Sequence, residues 1–128
     1  MNYYGYTRAT ADIDLWIYDE PGNRKKLAAS MSDLGIRESG LIEKMPLIAG
    51  FSEILLDNGI YIDLMKDLQF FKQEKFKECY ALSEAFYIED EVPVNVLHLN
   101  KLIEEKEKSK RPRDLEDAYQ LKKIRNIR

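Results

Sequence analysis

The chain has 128 residues, room for one compact domain with a core, and its 45% hydrophobic and 34% charged content is that of an ordinary soluble protein. A net charge of −3 excludes whole-molecule attraction to nucleic acid or anionic lipid, so any anion site must be a local basic patch. One cysteine, Cys79, excludes an internal disulfide and a cysteine zinc site, which fits a reducing cytoplasm. No apolar run approaches the roughly 18 residues that cross a bilayer, so no membrane is expected.

The opening stretch, MNYYGYTRAT, holds three tyrosines and a glycine in six residues and reads as the end of a helix stopped by Gly5. Asp12 to Tyr18 alternates as a strand, with Ile13, Leu15 and Ile17 on one face and Asp12, Asp14, Trp16 and Tyr18 on the other. Turn residues DEPGN follow, and Asn23 is placed to cap a helix running to about Leu34 with Leu27, Met31 and Leu34 as its apolar stripe. Gly35 ends it. Residues 36–50 carry no clear period. Two short strands, FSEILL and IYIDLM, flank DNG, a hairpin signal in which Asn58 and Gly59 both tolerate positive φ. Ile60, Ile62 and Leu64 share one face of the second strand, and Tyr61 and Asp63 the other.

Residues 72–85 read as a helix with Phe76, Cys79, Tyr80 and Ser83 on one side, and VPVNVLHL as a strand. Asn100 is placed to cap a helix through about Lys108. Pro112 suits the first turn of a last helix, whose buried side would use Leu115, Ala118, Tyr119 and Leu121. The order β-α-β-β-α-β-α-α predicts a single α/β or α+β domain over 1–128, a short mixed sheet packed by helices.

Residues i and i+2 of a strand project from one face, roughly 6.6 Å apart. Asp12 and Asp14 therefore converge above the sheet, and Asp63 joins them if its strand is a neighbour. Carboxylates that close repel unless a cation lies between them or one keeps its proton. Oxygen ligands without cysteine or histidine favour Mg²⁺ or Mn²⁺. The plainer alternative is that all three are solvated surface aspartates, since a bare Asp-x-Asp is common by chance.

GYTRATADIDLWI resembles the signature of small nucleotidyltransferases of the DNA polymerase β-like superfamily, whose active strand is hydrophobic-Asp-hydrophobic-Asp-hydrophobic, often after Arg-x-Thr-x. GIYIDLM is similar to the strand that carries the third carboxylate of that family, and HLNKLIEEKEKSKRPRDLEDAYQL to its closing segment. The resemblance implies a nucleotidyltransferase fold and catalytic, metal-binding roles for Asp12, Asp14 and Asp63. It implies a Mg²⁺-dependent transfer of a nucleoside monophosphate from a nucleoside triphosphate to a hydroxyl of a protein, RNA or small molecule. Lys106 and Arg111, and Arg8 by its place in the motif, would hold phosphate. Asp114 would cap the last helix or pair with Arg111, and His98 and Cys79 would be structural. The alternative within the same resemblance is a non-catalytic toxin–antitoxin or phage-defence module that docks a helical partner.

The family places a Gly-Gly or Gly-Ser pair ahead of the active strand, where backbone N–H groups receive phosphate. That pair has no counterpart after Met1. The expectation is a truncated N-terminal helix, or a lost phosphate cradle. Weak nucleotide binding and self-association through bared apolar surface would follow.

Overall fold

The computed structural model describes residues 1–5, 12–89 and 91–127; for Asn2 and Asp12 it describes the backbone alone. The architecture is mixed α and β, with five strands and four helices among the described residues: β1 (Asp12–Trp16), α1 (Pro21–Asp33), β2 (Glu53–Leu55), β3 (Tyr61–Met65), α2 (Phe76–Ala81), β4 (Glu84–Ile88), β5 (Val92–Val96), α3 (Leu99–Ser109) and α4 (Pro112–Ile127). The described residues from 12 to 68 make one compact unit, and residues 1–5 with those from 69 onward make another.

In the first unit, three strands form a sheet in the order β1-β3-β2. β1 runs parallel to β3 and β2 antiparallel to it. Alternation sends Ile62 and Leu64 into a core with Ala28 and Met31 of α1 and with Ile42 and Leu47, and Leu15 and Ile54 pack against it. The β2–β3 hairpin closes as the Asn-Gly signal requires, but only Gly59 takes a positive φ, +85°. Leu56 and Ile60 close the ladder around a three-residue loop, 57–59, and the Asn58 side chain accepts from the Ile60 N–H at 3.1 Å.

Asn23 is not the cap of α1. Pro21 begins that helix with its φ preset, so the cap falls on Glu20, whose carboxylate accepts from the Asn23 N–H. The buried side also shifts, to Arg24, Ala28 and Met31, while Leu34 is half exposed. Arg24 is buried with partners for its charge: Nε donates to Asp19 at 2.7 Å, and Nη1 to the carbonyls of Ile42 at 2.9 Å and Met45 at 2.6 Å. Residues 39–43, unreadable from periodicity, form a 3₁₀ turn that buries Ile42.

In the second unit, Asn2–Tyr4 is a single 3₁₀ turn followed by Gly5 at φ +96°. Tyr4 packs with Leu99, Ile103 and Leu121, and its hydroxyl donates to the Leu97 carbonyl at 2.6 Å. The helix expected over 72–85 is shorter. It ends at Ala81, and the chain turns at Ser83 into β4, which pairs antiparallel with β5. Cys79 is buried, and burial pushes its thiol pKa up. α3 is capped by His98, whose Nδ1 accepts from the Asn100 N–H at 3.1 Å, so the cap lies two residues before the expected Asn100. α4 starts at Pro112 as expected, but it buries Asp114, Asp117, Ala118 and Leu121, while Leu115 and Tyr119 are exposed.

Glu105 of α3 is buried, and its carboxylate accepts three consecutive backbone N–H groups: Gln69 at 2.6 Å, Phe70 at 2.8 Å and Phe71 at 3.1 Å. These bonds tie segment 69–71 to the helix. Glu105→Ala leaves all three donors without that acceptor and is expected to cost about 3 kcal/mol in urea unfolding, the scale of a buried hydrogen-bonded charge. A loss below about 0.5 kcal/mol, the size of an ordinary surface change, would contradict this role.

Candidate functional site

The parallel register sets Asp12 opposite Tyr61, Ile13 opposite Ile62, Asp14 opposite Asp63 and Leu15 opposite Leu64. Directly opposed residues share a face, so Asp14 and Asp63 project together from the side of the sheet away from α1. The antiparallel register places Glu53 opposite Asp63 as well. One rung thus carries three acids, Asp14, Asp63 and Glu53, from three strands. Glu53 was missed in the sequence. The FSEILL strand contained it, but nothing in one strand's alternation reveals its rung.

Asp63 is 7% exposed, whereas Asp14 and Glu53 are exposed. Its two oxygens accept from one donor, the Gly50 N–H, at 3.2 and 3.0 Å. Gly50 sits at φ +81°, in the left-handed region that favours glycine, which aims its N–H at the carboxylate. Trp16, two residues after Asp14, donates from Nε1 to the Lys66 carbonyl at 2.8 Å and holds the end of β1 on β3.

The donor set is hard oxygen, which suits Mg²⁺ or Mn²⁺. A carboxylate has about four lone-pair sites, so a single N–H leaves Asp63 acceptor capacity. Like charges directly opposite one another are destabilising, and a cation relieves that. Among the described residues, no three His, Cys, Asp or Glu side chains stand close enough to share one ion; the side chain of Asp12 is not among them. Arg8 and Thr10 lie outside the described residues.

Lys106 and Arg111 belong to the second unit, where they meet two buried acids. Asp114 accepts from the Ser109 hydroxyl, from Arg111 Nε at 2.8 Å and from Lys106 Nζ at 3.3 Å. Lys106 also pairs with Asp117 at 3.5 Å. With its amide oxygen turned toward Arg111, Gln69 accepts from both terminal nitrogens, at 3.1 and 2.8 Å. The expected Asp114–Arg111 pair is therefore present, and it explains why α4 turns its acids inward. A cavity of about 340 Å³ in this unit is lined by Leu82, His98, Asn100, Lys101 and Glu104. Its polar groups serve one another: His98 caps, Lys101 pairs with Glu104 at 4.0 Å, and Asn100 accepts from Arg125 at 3.2 Å.

No family model, curated protein or solved structure matches the chain. No helix among the described residues is long and apolar enough to cross a membrane.

Burial alone would raise the pKa of Asp114, but the Ser109 and Arg111 hydrogen bonds and the Lys106 charge outweigh it and hold the carboxyl below its ordinary value. A depressed folded-state pKa adds stability that is present above the unfolded value of about 3.9 and is lost as pH falls through the folded value. The stability gap between the parent and Asp114→Asn should therefore be wide at neutral pH and narrow below about pH 4. Urea midpoints across that range measure it, and a gap independent of pH would contradict the assignment.

Proposed function

We propose that the chain is a nucleotidyltransferase-like domain that moves a nucleoside monophosphate from a nucleoside triphosphate to a hydroxyl on a protein, an RNA end or a small molecule. The carrying observation is the rung that sets Asp14 beside Asp63 on one face of adjacent parallel strands. The β1-β3-β2 sheet, with α1 packed on its other face, is compatible with the fold this reading requires.

In this reading Asp12, Asp14 and Asp63 hold Mg²⁺ or Mn²⁺. When bound, the ion neutralises phosphate charge as the pyrophosphate leaves. Asp63 has a second task. Its carboxylate is buried and fixed by the Gly50 N–H, so it is a pre-set acceptor for the proton of the attacking hydroxyl. A fixed base needs no reorganisation at the moment of attack, which is where positioning lowers a barrier. The resemblance assigns Lys106 and Arg111 to phosphate; within their own unit Asp114 pairs with both and Asp117 with Lys106. Arg8 is assigned the same task by its motif.

The second reading is a non-catalytic partner module of a toxin–antitoxin or phage-defence pair, in which the aspartates hold no ion. Labelled nucleoside triphosphate incubated with Mg²⁺, the protein and candidate acceptors separates the two. Transfer of label that Asp12→Asn with Asp14→Asn abolishes supports the enzyme, with a stability change within about 0.5 kcal/mol because removing clustered like charge relieves repulsion. Full activity in the double variant overturns the chemistry. Unfolding of the double variant makes the aspartates structural.

A further inference from the structure

The turn before β2, residues 48–51, reads Ile-Ala-Gly-Phe. It is held from below at every step. Ser52 is buried, its hydroxyl donates to the Pro46 carbonyl at 2.6 Å, and it accepts from the Ile48 N–H at 2.9 Å. The Ser52 carbonyl accepts from the Leu64 N–H at 3.0 Å, and the Phe51 N–H donates to Ile48 at 2.9 Å. Gly50 is locked on Asp63. Yet Phe51 is 86% exposed, more than any other large hydrophobic side chain among the described residues. A hydrogen-bonded frame that bares a phenyl ring gains nothing for folding from that ring.

The backbone of Phe51 also lies close to Asp63. The Gly50 nitrogen is 3.0 Å from an Asp63 oxygen, and Phe51 is the next residue. Backbone dimensions put the Phe51 Cα within about 8 Å of that carboxylate, inside the span of one nucleotide. Apart from its chain neighbours Ala49 and Phe51, no described residue comes within 4 Å of where a Cβ on Gly50 would stand, so the space beside the turn is open.

We infer that Phe51 is a stacking platform for the base of the nucleotide whose triphosphate engages the carboxylate rung. This rests on the nucleotidyl-transfer reading. A ring on a rigid turn stacks a base with little ordering cost, and stacking is sequence-tolerant because every base has a π-face. The platform therefore favours purines by ring area and does not select one base.

Calorimetric titration in Mg²⁺ with two probes, ATP and inorganic tripolyphosphate, tests it. ATP should bind the parent protein about tenfold more tightly than tripolyphosphate, the low end of what one stacked base supplies. Phe51→Ala should erase that advantage without weakening tripolyphosphate, and Phe51→Trp should restore it. Equal binding of the two probes by the parent, or unchanged ATP binding by Phe51→Ala, overturns the platform and leaves the carboxylate reading standing. If the parent binds neither probe, both fall together.

Discussion

Everything proposed for this protein depends on one pairing, the parallel register of β1 on β3. A slip of one residue would send Asp14 toward α1 and the core, and bring Ile13 and Leu15 out. The apolar side makes that slip costly, because Ile62 and Leu64 are buried against Ala28 and Met31 and Leu15 packs beside them. Packing on one face thus fixes which carboxylates share the other. Trp16 reinforces the register through its bond to Lys66, beyond the last paired rung.

The four buried acids among the described residues show why Asp63 stands apart. Asp114 has two cations and a hydroxyl, Asp117 has Lys106, and Glu105 has three backbone N–H groups. Each is an answer to the cost of burying charge, which is high unless the charge is paired or hydrogen-bonded. Asp63 has a single N–H, from Gly50, and faces Asp14 and Glu53 across the rung. Asp114 and Asp117 meet cations and Glu105 three N–H donors, while Asp63 meets one N–H donor on a rung with two further acids. A buried carboxylate in acidic company is an arrangement that a divalent ion stabilises.

Much of this was legible in the sequence, for identifiable reasons. Alternation in DIDLW and IYIDLM placed the aspartates opposite the core-facing residues, and Asn-Gly and Pro112 marked a turn and a helix start by their backbone preferences. What was hidden depended on distant partners. The helix expected over 72–85 ran into the first two residues of β4, and 86–88 were left unassigned, because the strand is defined by its pairing with β5. Of the buried side expected for α4, Ala118 and Leu121 are buried and Leu115 and Tyr119 are not, since nothing local says that Asp114 and Asp117 will find Lys106 and Arg111. Glu105 accepts backbone N–H groups and Gly50 donates one, and such bonds leave no trace in side-chain patterning.

Paramagnetic broadening by Mn²⁺ tests the central claim most directly, because it reports where a divalent ion sits without requiring turnover. In amide NMR spectra of the intact protein, substoichiometric Mn²⁺ should broaden Gly50 and the β1 and β3 signals around Asp14 and Asp63 first. Broadening that spares β1, β3 and Gly50, or that begins at other acidic surfaces, would contradict the account.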